Sequence, residues 1–199
     1  MTHDRYAEFT RAYFRGWSGA YDLFALPVGY AYAAAVRETG AERGRRILDA
    51  CAGTGEIARR LSRRGAEVVA IDFTMEMLAR AARKCGEAVR PVVCDARRLP
   101  FADRSFDAAV LSFALHDMPR RVRSEVLREV ARTTREGIVI LDYRVRADGV
   151  WPRILATFET PYFGAFAREG VEEAIRAAGL PPPLRRKLPG PFGIWRVAP

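Results

Sequence analysis

Short apolar stretches alternate with amphipathic stretches along most of the chain. The apolar stretches predict five strands, at residues 45–50, 68–71, 89–94, 106–112 and 138–141. Between them, apolar side chains recur at every third or fourth position, which predicts helices at residues 56–64, 74–84 and 120–134. Apolar strands joined by amphipathic helices are typical of a parallel sheet with helices on both faces. The central part of the chain is therefore predicted to have an α/β fold.

The first 39 residues are predicted to form a helical extension. Aromatic residues recur there at spacings of three and four, and Gly16 and Gly19 are expected to divide them into two helices. Packing on the domain is the plain interpretation for most of these rings. Trp17 and Tyr21, next to the break, are also placed to lean over a bound ligand.

The last part of the chain is predicted to close the sheet. A helix at 170–178 precedes two short strands, 184–188 and 192–197, which a Pro-Gly-Pro turn joins. With the five earlier strands, this pattern predicts a Rossmann-like, doubly wound, mostly parallel seven-stranded sheet with a C-terminal antiparallel hairpin and an N-terminal helical lid. The predicted organisation is an extension at 1–39 and a domain at 40–199.

Composition favours one globular domain. The 199 residues are 49% hydrophobic and 29% charged, and no apolar run reaches the length of a membrane span. No signal-peptide pattern is present, so we expect a cytoplasmic protein. The three cysteines, Cys51, Cys85 and Cys94, lack metal-ligand spacing, and we expect reduced thiols and no bound metal.

The net charge of +9 raises the question of nucleic acid, because basic surfaces attract phosphate. All but two of the basic residues are arginine, they are scattered along the whole chain, and the sequence contains no Asn or Gln. This pattern is typical of a GC-rich genome and of a hot habitat, where amides are labile. We therefore do not expect nucleic acid as the partner, and we leave peripheral contact with an anionic membrane open.

The most informative stretch is Ile-Leu-Asp-Ala-Cys-Ala-Gly-Thr-Gly-Glu, at residues 47–56. It predicts a buried strand that turns tightly into a helix. Glycine lets the backbone approach a ligand that a Cβ would keep away, and the start of a helix offers unpaired N–H groups. Asp49, four residues before Gly53, suits a ligand with an ammonium group better than one with a pyrophosphate. The stretch indicates a site for a nucleoside cofactor.

The same turn satisfies the dinucleotide pattern G-x-G-x-x-A, with Asp72 as a candidate ribose ligand. Three observations argue against a nicotinamide enzyme: no separate substrate domain follows, no Tyr-x-x-x-Lys pair occurs, and the motif lies well inside the chain. Ligands of open α/β sheets lie beyond the carboxyl ends of the strands. The polar residues predicted at those ends are Asp49, Asp72, Asp95, Ser112 and Asp142.

Four further motifs follow in order, at residues 71–78 (IDFTMEML), 95–101 (DARRLPF), 105–119 (SFDAAVLSFALHDMP) and 173–180 (EAIRAAGL). With the glycine turn, they resemble the motifs of the class I S-adenosylmethionine-dependent methyltransferases, and the similarity covers nearly the whole chain. Residues 14–22 resemble the beginning of the UbiE-like branch, the ubiquinone and menaquinone biosynthesis methyltransferases. Two residues depart from the family pattern: Cys51, where glycine is frequent, and Asp142, where glutamate is common.

The resemblance implies which residues hold the methionine end of the cofactor. Gly53 and Gly55 would let the backbone pass close to it, with Thr54 beside it. Asp49 would face the ammonium group, directly or through water, or would instead hold its own loop. Ser112, at the end of the fourth strand, would contribute a hydroxyl or carbonyl contact.

It also implies which residues hold the adenosine end. Asp72 would accept both ribose hydroxyls, or would instead cap the following helix. Phe73 would flank the adenine. Asp95 would accept from the adenine amino group, while the amide of Ala96 donates to the ring.

Catalysis follows from the nature of the cofactor. A sulfonium methyl group is already activated, so the protein must align the acceptor and exclude water. Aromatic faces favour the cation, which makes Tyr21 a catalytic candidate. His116 is predicted to be either a general base, needed when the acceptor loses a proton, or a polar residue that caps a helix.

The predicted function is methyl transfer from S-adenosylmethionine to a small, largely apolar or aromatic, quinol-like acceptor. The aromatic-rich stretches before residue 25 and between residues 151 and 166 are expected to form its pocket, together with His116, Asp142 and Tyr143. The alternatives are a non-catalytic S-adenosylmethionine-binding protein that acts with a partner, and an RNA or phospholipid methyltransferase. The acceptor and the oligomeric state stay open.

Overall fold

A computed structural model of the protein describes residues 5–17, 28–145, 149, 155 and 159–199, and the structural statements below concern these residues. The strands are β1 (Arg46–Ala50), β2 (Glu67–Asp72), β3 (Val89–Val93), β4 (Phe106–Ser112), β5 (Thr134–Tyr143), β6 (Leu184–Lys187) and β7 (Phe192–Val197). They form one sheet in the order β3-β2-β1-β4-β5-β7-β6. Strands β1 to β5 pair in parallel, whereas β7 is antiparallel to both β5 and β6. The predicted Rossmann-like sheet with its C-terminal antiparallel hairpin is confirmed.

Helices cover both faces of the sheet. They are α1 (Arg5–Trp17), α2 (Gly29–Glu38), α3 (Glu56–Ser62), α4 (Met75–Cys85), α5 (Arg120–Thr133) and α6 (Phe163–Ala177). One hydrophobic core joins the sheet to α2, α3 and α4, and the other joins it to α5 and α6. Because both faces are buried, most residues of β1 and β4 are apolar, as the sequence pattern predicts.

The turn between β1 and α3 depends on its glycines. Gly53 and Gly55 have φ angles of 53° and 79°, a region that side chains other than glycine rarely adopt. A Cβ on Gly55 would lie 2.7 Å from the Cβ of Ala81 in α4. Gly55 therefore serves two purposes, since it forms the turn and allows α4 to pack closely against it.

Most predicted boundaries agree with the structure to within two residues, with two larger differences. Strand β5 begins at Thr134, four residues earlier than predicted, because Thr134 pairs with Phe106 before an irregularity that contains the polar, exposed Arg135 and Glu136. Helix α6 begins at Phe163, whereas the sequence predicts a start at Gly170. Gly170 adopts φ 76° and ψ 176° and breaks the helical periodicity, so the pattern reveals only the second half of α6.

The two helices near the N-terminus have different surroundings. Residues of α2, including Tyr32 and Ala35, are buried in one of the two cores. Helix α1 lies along the rim at the carboxyl ends of the strands, where the ring of Tyr6 meets that of Tyr162 at 5.8 Å. The predicted break at Gly19 and the candidate Tyr21 lie outside the described residues. Within the described residues, every helix is too short or too polar to cross a membrane.

Candidate functional site

Three adjoining cavities, all bordered by Cys51, lie beyond the carboxyl ends of β1, β2, β3 and β4. The central cavity has a volume of about 530 Å³ and is lined by Gly53, Asp72 and Phe73. A second, of about 320 Å³, extends towards Thr54 and Ser112. The third, of about 350 Å³, extends towards Asp95 and Ala96. The structure thus brings together the residues that the sequence predicts for the two ends of one elongated ligand.

Asp72 connects the glycine turn to the end of β2. Its Oδ2 accepts the backbone N–H of Gly53 at 2.9 Å, and its Oδ1 accepts that of Thr74 at 2.8 Å. Burial raises the pKa of this carboxyl, while the backbone donors oppose the rise. Thr74 is the N-cap residue of α4, but its side chain makes no capping hydrogen bond. Asp72 therefore organises the turn before α4 and also faces the cavity, where its remaining lone pairs can accept from a ligand.

Asp49 lies behind the glycine turn and lines none of the three cavities. Its side chain is fully buried, and neither carboxylate oxygen has a hydrogen-bond partner of good geometry among the described residues. Burial raises the pKa of Asp49 to about 8, which the amide of Ala58 partly opposes. A buried carboxylate without partners is costly in the charged form, so this position favours a cationic group nearby.

Two arginines that the sequence did not indicate lie beside Phe73 and Asp95, the residues predicted to hold an adenosine group. Arg97 donates to both carboxylate oxygens of Asp95, with Nη2 2.6 Å from Oδ2, and its backbone N–H donates to Oδ1 at 2.9 Å. The guanidinium of Arg11 stacks over the ring of Phe73 at 4.2 Å. Asp95 is thus already engaged by Arg97, while the amide of Ala96 lies beside it at the cavity wall.

Two residues at the rim adopt unusual backbone conformations. Cys51 has φ 60° and Phe113 has φ 49°, both in the left-handed region that costs a residue with a Cβ about 1 kcal/mol or more. The conformation of Cys51 gives a physical reason for glycine to be favoured at this position. Both residues border the central cavity, so the strain lies at the site itself.

His116 lies within a group of three carboxylates. It is 3% exposed; its Nδ1 lies 2.8 Å from Oδ1 of Asp142, and its Nε2 lies 3.3 Å from Asp117 Oδ2 and 3.2 Å from Glu159 Oε2. Burial alone lowers the pKa of His116, but the carboxylates of Asp117 and Asp142 outweigh it and raise the pKa well above 6.5. Helix α5 begins after Pro119, so His116 does not cap it.

Asp117, rather than His116, is the member of this group that lines the central cavity. Its Oδ1 is buried and has no hydrogen-bond partner among the described residues. Asp117 and Glu159 were not predicted as site residues, although Asp117 follows His116 within the motif at residues 105–119 and could have been found there. Only the fold brings Glu159, 43 positions after His116, to the same ring nitrogen.

Aromatic rings enclose the histidine. Tyr143 meets His116 at 4.8 Å between ring centroids, and it also contacts Phe113, Phe163 and Phe192 at 5.5–5.6 Å. The predicted aromatic wall is therefore present in part, with Phe192 of the C-terminal hairpin as a member that the sequence analysis missed. The other predicted rings, Phe24, Trp151 and Phe158 together with the side chain of Trp17, lie outside the described residues.

Helix α1 supplies further cavity residues that were not predicted individually. Tyr6, Thr10 and Phe14, spaced by four, line the central cavity. Tyr6 and Phe14 belong to the aromatic residues that recur at spacings of three and four in the sequence. Which face of α1 meets the site, however, depends on how the helix docks.

The free thiols of Cys51, Cys85 and Cys94 agree with the predicted reduced state.

Comparison with known proteins gives consistent results. Residues 47–137 match the model of a family described as a methyltransferase domain. The chain is 35% identical over 169 residues to a demethylmenaquinone methyltransferase from Renibacterium salmoninarum, covering 82% of this chain and 61% of that protein. It is 36% identical over 148 residues to the demethylmenaquinone methyltransferase of Beutenbergia cavernae, covering 69% of this chain and 60% of that protein. The chain thus spans about three fifths of the length of these relatives.

Among solved structures, the fold resembles that of a putative O-methyltransferase from Nostoc punctiforme. The TM-score is 0.75 at 17% identity, and the match covers 92% of this chain and 59% of that one. With the motifs, the sheet order and the cavities at the strand ends, these matches establish the class of protein. The chain belongs to the class I S-adenosylmethionine-dependent methyltransferases. Within this class it is of the UbiE type, the branch that its demethylmenaquinone methyltransferase relatives represent.

The residues present fit the cofactor of this class. The unpartnered carboxylate of Asp49 favours a cationic group, and the glycine turn leaves the backbone open beside the cavities. Asp72 retains acceptor capacity towards the central cavity. Ser112 and Ala96 border the second and third cavities, and both of these cavities share Cys51 with the central one.

Proposed function

We propose that the protein transfers a methyl group from S-adenosylmethionine to a small aromatic, quinol-like acceptor. The observation that carries this proposal is that one cavity borders both groups of residues. Gly53 and Asp72, predicted to hold the cofactor, line the same cavity of about 530 Å³ as Phe113 and Asp117. A cofactor and an acceptor held there would be in direct contact. The names of the related demethylmenaquinone methyltransferases support a quinol-like acceptor.

In this proposal, Gly53, Thr54, Ser112 and Asp49 hold the methionine end of the cofactor. Gly55 forms the turn that carries the first two. Burial makes Asp49 prefer its neutral form in the free protein, so the approach of an ammonium group would stabilise the charged form.

The adenosine end is held by Asp72, Phe73, Asp95 and Ala96. Asp72 accepts the ribose hydroxyls with the lone pairs that Gly53 and Thr74 leave free. Phe73 flanks the adenine. Because Arg97 already binds the carboxylate of Asp95, we propose that the amide of Ala96 is the more available contact to the ring and that Asp95 mainly shapes this end of the site.

When bound, the cofactor supplies an activated methyl group. The contribution of this chain is to orient the acceptor beside it, exclude water and receive a proton where the acceptor releases one. Tyr6, Phe14 and Phe113 border the cavity and provide apolar walls. Tyr21 stays the predicted partner for the sulfonium charge.

We further propose that His116 acts through Asp117. The carboxylate of Asp117 faces the cavity and takes the proton of the acceptor, whereas His116 lies behind it with Nε2 3.3 Å from Oδ2. Asp142 orients the imidazole by accepting from Nδ1. His116 is thus a positioning residue, and Asp117 is the group that touches the acceptor.

The test uses methyl-labelled S-adenosylmethionine with a reduced naphthoquinone that has an unsubstituted ring position. Label should enter the naphthoquinol. Because the reaction needs both Asp117 and the His116 that positions it, His116→Ala and Asp117→Asn should each slow methyl transfer by about two to four orders of magnitude. Neither should weaken binding of S-adenosylhomocysteine. No transfer to any small aromatic acceptor, together with efficient methylation of total RNA, would overturn the proposal.

Cofactor binding is tested separately by calorimetry with S-adenosylhomocysteine. Asp72→Ala should weaken binding by about 1–3 kcal/mol, because ribose hydroxyls lose their buried acceptor. Asp107→Ala is the matched control, since Asp107 also accepts a backbone N–H at the end of a strand, that of Arg46 at 2.8 Å, but at the opposite rim of the sheet. Absence of heat with the wild-type protein would remove the cofactor assignment.

A further inference from the structure

The carboxylates around His116 carry more negative charge than the imidazole can neutralise. Three carboxylates, those of Asp117, Asp142 and Glu159, lie within 3.3 Å of one imidazole ring. Even a protonated ring would leave a net negative group. Arg123, a neighbouring cation, is engaged elsewhere, since its guanidinium donates to Glu169 and to the carbonyl of Leu115. Buried charge of this kind is stabilised by a compensating cation.

Both distances from the histidine nitrogen to the carboxylates of this group match those between ligands of one metal ion. One atom each from His116, Asp117 and Glu159 lies within 4.8 Å of the others. Nε2 of the histidine is 3.2–3.3 Å from the nearest oxygen of each carboxylate. Ligands bound at about 2.1 Å to one ion, with tetrahedral or octahedral angles, are about 3.0–3.4 Å apart.

Each candidate ligand is held in place by its other atoms. Nδ1 of His116 lies 2.8 Å from Asp142 Oδ1, so Nε2 is the nitrogen that an ion would reach when it displaces the Nε2 proton. Asp142 is itself fixed by the backbone N–H groups of Leu115 and Tyr143. The hydroxyl of Tyr143 donates to Glu159 Oε1 at 2.6 Å and leaves Oε2 free. Carboxylate–histidine–metal arrangements of this kind are common in the second shell of metal sites.

A further observation concerns Asp117. Its Oδ1 has no hydrogen-bond partner among the described residues, although the residue is only 8% exposed. The side chain also borders the central cavity. An ion bound here would therefore complete its shell from the cavity, with water or with an oxygen of a bound small molecule.

We propose that His116, Asp117 and Glu159 bind one divalent transition-metal cation. One imidazole nitrogen with two carboxylate oxygens suits Mn²⁺, Fe²⁺ or Zn²⁺ better than Ca²⁺, which prefers oxygen ligands alone. The cation takes the place of the proton that Nε2 shares with the two carboxylates, so the two are alternative occupants of one position. This differs from the expectation of no metal, which rested on cysteine spacing and could not include a group in which Glu159 joins His116 and Asp117 from a distant part of the chain.

The test measures Mn²⁺ binding to the full chain by electron paramagnetic resonance, without cofactor or acceptor. The inference is therefore independent of methyl transfer, and either can fail alone. We expect one Mn²⁺ per chain, and Zn²⁺ should displace it. Asp117→Asn and Glu159→Gln should each weaken binding at least tenfold, and Asp142→Asn about 10–100-fold. Glu136→Gln is the control, because it removes the same charge from an ion pair with Arg45 at the opposite end of β5.

A second measurement uses the wild-type protein, so its result does not depend on whether a variant folds. Electron spin echo modulation of bound Mn²⁺ should show the nitrogen of a directly bound imidazole in the wild-type protein. It should persist in His3→Ala, which removes the other histidine of the chain. Absence of stoichiometric binding, absence of the nitrogen signal, or equal binding by Asp117→Asn, Glu159→Gln and the wild type would overturn the proposal.

Discussion

At the scale of single residues, the site combines strained backbone with buried charge. Cys51 and Phe113 hold left-handed conformations beside the cavity, and Asp49 holds a buried carboxyl without partners. Each of these features raises the free energy of the folded protein when no ligand is bound. Such features persist where the surrounding fold holds them in place, and they are frequent at ligand sites.

The protonation of Asp49 should couple to cofactor binding. Its pKa of about 8 means that the free protein carries it mostly protonated at pH 7. An ammonium group nearby would favour the charged form, so binding should release up to one proton and strengthen as the pH rises from 6 to 8. At pH 8 the carboxyl is about half ionised, so this dependence should level off above about pH 9.

Calorimetry with S-adenosylhomocysteine in two buffers of different ionisation enthalpy measures the released proton. Asp49→Asn cannot release it and provides the comparison. Asp72 and Cys51 lie close to Asp49 and remain in the variant, so the difference between the two proteins isolates Asp49. Equal proton release by both proteins would contradict a contact between Asp49 and the ammonium group.

At the scale of elements, the site depends on how helices dock against the rim of the sheet. Helix α4 packs against the glycine turn through Ala81, and helix α1 crosses the cavities with Tyr6, Thr10 and Phe14. The first contact is fixed by close backbone approach, whereas the second is made by side chains of a short terminal helix. The two contacts should therefore respond differently to change.

Gly55→Ala should be strongly destabilising. It adds a Cβ 2.7 Å from the Cβ of Ala81 in addition to the cost of a left-handed conformation. Gly179→Ala is the matched control, because Gly179 has a similar φ of 77° but nothing within 4 Å of an added Cβ. We expect the free energy of unfolding, measured in urea, to fall by about 1–3 kcal/mol more for Gly55→Ala than for the control. Equal losses would show that backbone conformation alone matters at Gly55.

Helix α1 should be protected when cofactor binds. Its exposed Arg11 stacks on Phe73, a residue predicted to flank the adenine. If α1 closes over the cofactor as a lid, trypsin cleavage after Arg11 should slow when S-adenosylhomocysteine is added. Cleavage after Arg104 should not change. Arg104 lies in an exposed turn, and its backbone N–H donates to the carbonyl of Arg132 near the end of α5. Equal cleavage at Arg11 with and without ligand would count against a lid.

At the scale of the whole molecule, the positive charge is distributed rather than concentrated. Exposed and half-buried arginines pair with carboxylates in many parts of the described structure, as in Arg45–Glu136, Arg132–Asp103 and Arg135–Asp107. Such surface pairs each contribute about 0–1 kcal/mol to stability. Their wide distribution favours a small-molecule acceptor over a polynucleotide, which needs a continuous basic groove.

The protein should therefore not form a stable complex with RNA. A gel shift with total RNA at physiological salt is expected to show no retained band, although weak retention is expected at low salt because the net charge is +9. A stable complex at physiological salt would favour the RNA alternative. Measuring both salt conditions separates general attraction from specific binding.

The sequence by itself determined the elements, the class of fold and the cofactor motif. Alternation of apolar strands with amphipathic helices is a local property, and the glycine turn of residues 47–56 needs its own residues to form. Parallel strands bring their carboxyl ends to one rim, so Asp72, Asp95 and Ser112 could be placed together before the structure was known. Helix α6 was predicted only in part, because Gly170 interrupts its periodicity.

Only the tertiary structure decided which side chains meet across that rim. The sequence contains His116, Asp142 and Glu159 far apart, and no local pattern indicates that one ring contacts all three of its carboxylate neighbours. The isolation of Asp49 likewise depends on its complete burial. These properties arise from the packing of distant segments, and they set the charge and protonation on which the chemistry of the site depends.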